Sequence, residues 1–332
     1  MISKKRLLCT VLFIFSTICF SQTLQEDYET LENESSLLVQ GDLQNNFIIL
    51  ADPHVYEFNP HLTSIASDNH LLMNIYEGLF TYNPTSAEPE FAIATDYRIS
   101  RDKKRWTFSI NPNAFFSNGE KITAKSVKDS WITLLSTPHA PYSSLLDVIK
   151  GAREFRLGEG SVEDVGIYSN SDDTLTVHLV KPANYLPKVL CHVAFSVVPP
   201  KEQMEQNVGS GAYYIKSYGD YVCVLSKSPF YWDKSSSHLE NVTILQCADP
   251  DENAHLFNIG VADWVIADTN LDKIINKKAF QINAQFGTSY LFFKKNEKSY
   301  WNYPELRAAL FEIIPWDDLR SNFYFPAQTF VY

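Results

Sequence analysis

The segment RWTFSINPNAFFSNGEKITAKSV, residues 105–127, changes its hydrophobic period within one short stretch. Trp106, Phe108 and Ile110 alternate with Thr107 and Ser109, the two-residue period of a strand with one buried face. Asn118-Gly119 supplies a turn, and after Thr123 the positions Val127, Trp131, Leu134 and Leu135 fall on one face of a helix. A chain built on such a corner is neither a helical bundle nor an all-β sandwich, and its class is α/β.

The rest of the chain repeats the mixture. Asn46 to Ala51 reads as a short apolar strand, and Asp68 to Leu79 as a helix carrying Leu71, Leu72, Ile75 and Leu79, with Asp68 as its cap and Gly78 at its end. Leu175, Val177 and Leu179 alternate, as do Val222 with Val224 and Val242 with Ile244. The stretch SKSPFYWDKSSSHLEN between the last two pairs reads as a long polar loop. The densest cluster of breakers is VVPPKEQMEQNVGSGAYY, residues 197–214. There Pro199-Pro200 and the pair Gly209 and Gly211 are expected to turn the chain, as a crossover between lobes would.

At 332 residues, 45% hydrophobic and 14% aromatic, the chain can bury a large core and reads as two domains. Its net charge of -11 is spread along the sequence, which sets nucleic acid aside as a partner. Lys4, Lys5 and Arg6 precede the apolar run LLCTVLFIFSTICF, the layout of a secretory signal, so residues 1–21 are expected to direct export to the periplasm or cell envelope. Cleavage after Ser21 would release a soluble protein. The alternative is a lipoprotein acylated at Cys19, although Ile18 fits that signal poorly. Residues 22–36, QTLQEDYETLENESS, read as a polar tether, with ordered structure expected from about Leu37. Past the leader stand Cys191, Cys223 and Cys247, an odd number with no CxxC spacing, which supports neither a zinc knuckle nor a disulfide scaffold. Free thiols are the favoured reading, with a cross-strand Cys223–Cys247 disulfide as the alternative.

Catalytic motifs are absent from the sequence: there is no GxSxG, HExxH, P-loop, or GxGxxG after a strand. His54, His61 and His70, with Asp52 and Asp68 nearby, lack ligand spacing on a single face and read as surface or hydrogen-bonded residues, not as a metal site. Glu88 and Glu90 flank a proline in what reads as a solvated loop, where nothing raises a pKa for acid-base work. The catalytic reading is therefore weak, and neither a cofactor nor a metal is expected. Its many aromatics are mostly core, though exported binding clefts use such residues too.

Six segments in register carry a resemblance. They are EFNPHLTSIASDNHLLMNIYEGLFTYN (57–83), PEFAIATDYRISRDKKRWTFSINPNAFFSNGEKITAKSVKDSW (89–131), GSGAYYIKSY (209–218), SPFYW (228–232), FNIGVADWVI (257–266) and YPELRAAL (303–310). Together they resemble the family 5 solute-binding proteins of peptide ABC importers. APYSSLLDVIKGAREFRLGEG (140–160) brings the chain nearest to the oligopeptide-binding members. The resemblance implies a two-lobed periplasmic-binding-protein fold with an extra subdomain in lobe I. Residues 37–84 and 182–285 would form the main subdomain of lobe I, 85–181 the small one, and 286–332 an incomplete lobe II.

The function so implied is capture of an extended oligopeptide between two closing lobes and its delivery to the permease subunits of an ABC transporter. Main-chain pairing gives affinity, and hydrated pockets accept varied side chains. The membrane would be met only through the permease or a lipid anchor at Cys19. Carried over by position, Ser64, Ile65 and Ala66 would pair with the peptide backbone, while Tyr142 and Phe286 would border the cleft. A dipeptide-, nickel- or haem-binding relative, and a chaperone-like surface protein, are the alternatives. Relatives continue beyond the point matching FPAQTFVY, so this sequence is expected to cover about two-thirds of the family pattern and to bind peptide poorly alone. EIIPWDDLR departs from the family's run, and Pro315 should stop the helix there.

Overall fold

The computed structural model describes residues 46–281, 292–294 and 296–320. The expected signal peptide, tether and ordered start near Leu37 lie outside these residues. Packing divides the chain into two units, 1–275 and 276–332, the division falling ahead of the lobe boundary expected at 286.

Two larger sheets organise the first unit, beside the antiparallel pair of β2 (Phe80–Tyr82) and β3 (Pro89–Phe91). The larger has the strand order β11-β1-β10-β9-β8, where β1 is Asn46–Ala51, β8 Tyr213–Tyr218, β9 Val222–Lys227, β10 Asn241–Gln246 and β11 Trp264–Val265. Strand β1 runs parallel to both β10 and β11, and β9 runs antiparallel to β10 and β8. Both faces of this sheet are covered. On one, Ala51, Ile244, Cys223 and Leu225 pack with Leu71, Leu72 and Ile75 of helix α1 (Ala66–Ile75). On the other, Ile48, Leu50 and Leu245 pack with Ala262 and Leu256.

The smaller sheet has the order β4-β5-β7-β6, made of Ala94–Ile99, Arg105–Ile110, Thr174–His178 and Ile167–Ser171, and is antiparallel throughout. One face carries Trp106, Phe108, Leu175 and Val177 into a core with Val127, Trp131 and Leu134 of helix α2 (Ala124–Ser136). This core reaches past residue 181 to Leu190, Phe195 and Val208. Helix α2 begins as the sequence expects: Thr123 Oγ1 accepts from Ser126 N at 3.4 Å and Ser126 Oγ accepts from Thr123 N at 3.1 Å, a reciprocal cap. Inside, the Trp131 indole N–H donates to Phe195 O at 2.9 Å.

Several expectations are corrected. Helix α1 runs from Ala66 to Ile75 and not from Asp68 to Leu79. Asp68 lies inside its first turn and does not cap it, because its carboxylate is engaged by the preceding loop. Gly78 lies beyond the helix, where a Cβ would stand 2.9 Å from Leu190 O, so its small size serves packing. Gly209 and Gly211 likewise have no left-handed backbone; a Cβ would lie 2.4 Å from Ile75 O at Gly209 and 2.5 Å from Asn74 O at Gly211. On β9 the buried residues are Cys223 and Leu225, the opposite set to Val222 and Val224. The loop after β9 is not uniformly polar, since Tyr231 is buried. Finally, Cys223 is registered against Ile244, three residues before Cys247, and Cys191, Cys223 and Cys247 are all free and buried.

The second unit contains helices α3 (Pro304–Ile313) and α4 (Trp316–Arg320). The first ends just before Pro315, as expected, and none of its residues is buried.

Candidate functional site

The loop leading into α1 is built around one carboxylate. Asp68 Oδ1 is 2.6 Å from His54 Nε2, and its Oδ2 accepts from the Thr63 hydroxyl at 2.5 Å. Asp68 is 1% exposed, so these partners replace water around a buried acid. Thr63 Oγ1 in turn accepts from Ile65 N at 3.0 Å. The result is a braced loop with Ser64, Ile65 and Ala66 on its outside, all exposed.

Ser64 lies outside any helix or strand, Ile65 is extended, and Ala66 is the first residue of α1. The Ile65 carbonyl already accepts from Asn69 N at 3.0 Å. Both backbone groups of Ile65 are therefore engaged, and among the described residues the Ser64 peptide groups and the Ala66 N–H have no hydrogen-bond partner. No side chain caps α1 at Ile65, so its first N–H groups have no capping partner there.

Tyr142 belongs to the other core. It is half-buried ahead of the short 3₁₀ turn Ser143–Val148, with its ring 4.2 Å from that of His192. Burial holds the His192 pKa below its ordinary value, so the ring pair is an apolar contact. Among the described residues no hydrogen bond or ring contact joins Tyr142 to Ser64, Ile65 or Ala66. Phe286 lies outside the described residues.

The histidines have separate fates. His54 braces Asp68, His70 is exposed, and His61 is 2% exposed with its Nε2 unpartnered and its pKa held down at about 4 by burial. Among the described residues no group of three His, Cys, Asp or Glu side chains is placed to hold a metal ion. Glu88 pairs with Lys188 at 2.9 Å and Glu90 accepts from Asn83, both on the surface.

A second centre was not anticipated. Glu77 Oε1 accepts from Tyr231 OH at 2.6 Å and Oε2 from Trp232 Nε1 at 2.7 Å. Burial outweighs these hydrogen bonds and pushes the Glu77 carboxyl up to about 7. Around it the quoted segments meet: Glu77 N donates to Ser210 Oγ, Val197 N to Glu77 O, and Ser117 N to Gly209 O. Gly119, at φ 88, leaves room that the Phe230 ring fills. The Asn118-Gly119 corner, IYEGL, GSGAY and SPFYW thus converge on the seam between the two sheets. The available signal was a lone acid, Glu77, inside an apolar run, with two aromatic donors side by side in SPFYW.

Comparison with known proteins places this architecture. The family model for bacterial extracellular solute-binding proteins, family 5, matches residues 88–331. The dipeptide-binding protein DppE of Bacillus subtilis is 27% identical over 278 residues, covering 78% of this chain and 50% of that protein. The periplasmic oligopeptide-binding protein OppA of Escherichia coli is 28% identical over 225 residues, covering 63% of this chain and 40% of that protein. Listeria monocytogenes OppA bound to peptide superposes with a TM-score of 0.62 at 22% identity, over 67% of this chain and 46% of that one. The fold is the α/β architecture of two-lobed periplasmic binding proteins, of which this chain covers part. The chain spans about half the length of the curated relatives it matches.

Proposed function

Because the chain belongs to the bacterial extracellular solute-binding proteins of family 5, we propose that it works outside the cytoplasm as the peptide-capturing component of an ABC importer. It takes up short oligopeptides, carries out no chemistry on them, and hands them to permease subunits in the membrane. The observation that carries this reading is the family match over residues 88–331, together with relatives named for oligopeptide and dipeptide binding. Export follows from the leader at residues 1–21, with either a free mature chain or a lipid anchor on Cys19.

In this reading the braced loop offers main-chain groups. The Ala66 N–H and the Ser64 peptide meet the peptide backbone, and the ordinary side chains there impose no sequence preference. Ile65, engaged on both sides, sets the shape of the segment without pairing. Tyr142 and Phe286 line the cleft as apolar walls, and waters bridge the remaining polar groups. A dipeptide specificity is the second reading, favoured by the match to the Bacillus subtilis dipeptide-binding protein.

Calorimetry tests the proposal with a mixed pool of tri- to pentapeptides and, separately, a dipeptide pool. The chain is titrated alone and together with a polypeptide covering the rest of its relatives' length. Saturable heat with the longer pool is expected when the polypeptide is added, and little from the chain alone. Ala66→Pro should weaken it about fivefold, the worth of one hydrogen bond, because proline at the first helical position removes a donor without breaking the helix. Heat with dipeptides only would select the second reading. No heat from either pool in either mixture overturns both.

A further inference from the structure

The four-stranded sheet has a second face that no core covers. Its register aligns Arg98 with Thr107, Thr107 with Thr176, and Thr176 with Tyr168, and places Arg105 opposite His178. These side chains alternate with the buried Trp106, Phe108, Leu175 and Val177, so they project away from the core, though Thr176 is itself buried by its neighbours on that face. Two open hollows, of about 550 and 530 Å³, adjoin there and share Arg105 and His178. The first has a polar floor of Thr107, Asn170 and Thr176. The second is walled by Arg101, Lys104 and Lys150, and Asp102 is the one acid lining either.

The charge of this face opposes that of the chain. Between Arg98 and Arg105 stand Arg98, Arg101, Lys103, Lys104 and Arg105 against Asp102, with Asp96, registered with Ser109, as a further acid on the same face, in a protein whose net charge is -11. None of these five cations, nor Lys150, takes part in an ion pair among the described residues. Asp102 is committed to the Ser100 hydroxyl and the Lys104 N–H of its own turn. Unpaired like charges held this close repel one another, and an external anion relieves that repulsion.

We propose that this face rests on an anionic membrane surface, with phosphate headgroups seated in the hollows between Arg101, Lys104, Arg105 and Lys150. The hollows are open and the cations lining them long and exposed, with no buried charged group among their lining residues, so the site suits a sheet of headgroups better than one desolvated anion. Tyr168, exposed beside the hollows and edge-on to His178 at 5.2 Å, is the aromatic that a headgroup layer accommodates. The remainder of the chain is acidic and repelled by such a surface, so the basic face is the one turned toward it. Membrane contact here is independent of peptide capture, which it would assist by holding the protein near a permease.

Sedimentation of the full chain with phosphatidylcholine vesicles, with and without phosphatidylglycerol, tests this at low and high salt. Wild type is expected to partition onto the phosphatidylglycerol vesicles and to be released by salt. The triple variant Arg101→Glu, Lys104→Glu, Lys150→Glu should lose about a hundredfold in partitioning, from about fivefold per cation removed. It shares the basic, apolar N-terminus of wild type, so the difference reports the sheet face alone. A control with Lys125→Glu, Lys201→Glu and Lys234→Glu makes the same charge change elsewhere and should bind nearly as wild type does. Unchanged thermal melting checks that each variant folds. Equal partitioning by the triple variant, or an equal loss in the control, overturns the proposal. So does a salt-sensitive dimer that needs the same three cations, or saturable binding of inorganic phosphate at this face in place of vesicle binding.

Discussion

The two larger sheets of the first unit differ in how many faces they bury. The four-stranded sheet packs one face on α2 and leaves the other to solvent, so its central strand β5 alternates cleanly, with Trp106, Phe108 and Ile110 in and Arg105 and Ser109 out. The five-stranded sheet is packed on both faces, and β10 ends in four consecutive buried residues, Thr243 to Gln246. A parallel pairing such as β1 with β10 imposes this, because the connections that return the chain to the same end lay material over both faces. A half-buried strand announces which side is inside, and a doubly buried one does not.

Substitutions on the two sheets give the sharpest contrast. Phe108→Ala on the inner face of β5 should lower stability by about 3–5 kcal/mol, since the ring is fully buried. Ser109→Ala, its exposed neighbour, should stay within about 0.5 kcal/mol. On β10 the neighbours Ile244→Ala and Leu245→Ala point to opposite faces and should each lose about 2–5 kcal/mol. Urea denaturation of the four variants decides the matter. A negligible effect at Leu245 would mean that the second face of the larger sheet is not a core.

The same contrast explains what was legible from sequence. The corner at residues 105–136 was, as a half-buried strand, an Asn-Gly turn and a helix after Thr123, because every signal there is local: period and turn agree, and the structure adds the Thr123 cap and the positive φ at Gly119. Strand β1 was legible as an apolar run. On β9 the apolar residues at 222–225 are continuous, so period alone could not choose between Val222 with Val224 and Cys223 with Leu225. Helix α1 was misplaced because Asp68 has the chemistry of a cap, while its actual partners, His54 and Thr63, are fixed only by tertiary structure. The Glu77 centre joins residues 154 and 155 positions apart, so the lone acid and the aromatic pair of SPFYW are each visible in the sequence but nothing local joins them.

The seam between the sheets supplies the next effect in size. Gly209→Ala would place a Cβ 2.4 Å from Ile75 O, a backbone atom that cannot swing aside, and should lose about 1–3 kcal/mol. Gly219→Ala, in the turn between β8 and β9, meets nothing within 4 Å and has no left-handed φ. It should be neutral or slightly stabilising, through the lower entropy of the unfolded chain. Equal losses at the two sites would mean that the close approach of α1 to residues 209–211 does not hold the two sheets together.

The smallest net effect is the dependence of stability on pH, because two buried groups oppose each other. Glu77, in the seam, has its pKa pushed up from 4.5 to about 7 by burial, so the folded state holds a proton that the unfolded chain releases. The stability it contributes is fully present below pH 4.5 and is lost as pH rises through about 7. His61, in the loop before α1, is held down from 6.5 to about 4 by burial, so it favours the folded state above 6.5 and loses that contribution as pH falls toward 4. Between pH 4.5 and 6.5 the two slopes run in opposite directions, and the wild type should be nearly flat there, with a decline from 6.5 to 7. Glu77→Gln removes one slope and leaves the other, so its stability should rise with pH across the interval where wild type is flat. The measurement is the urea midpoint at a series of pH values for both proteins. If the two profiles are parallel, the Glu77 carboxyl is not desolvated at the seam, and the two sheets meet across a wetter junction than the hydrogen bonds from Tyr231 and Trp232 imply.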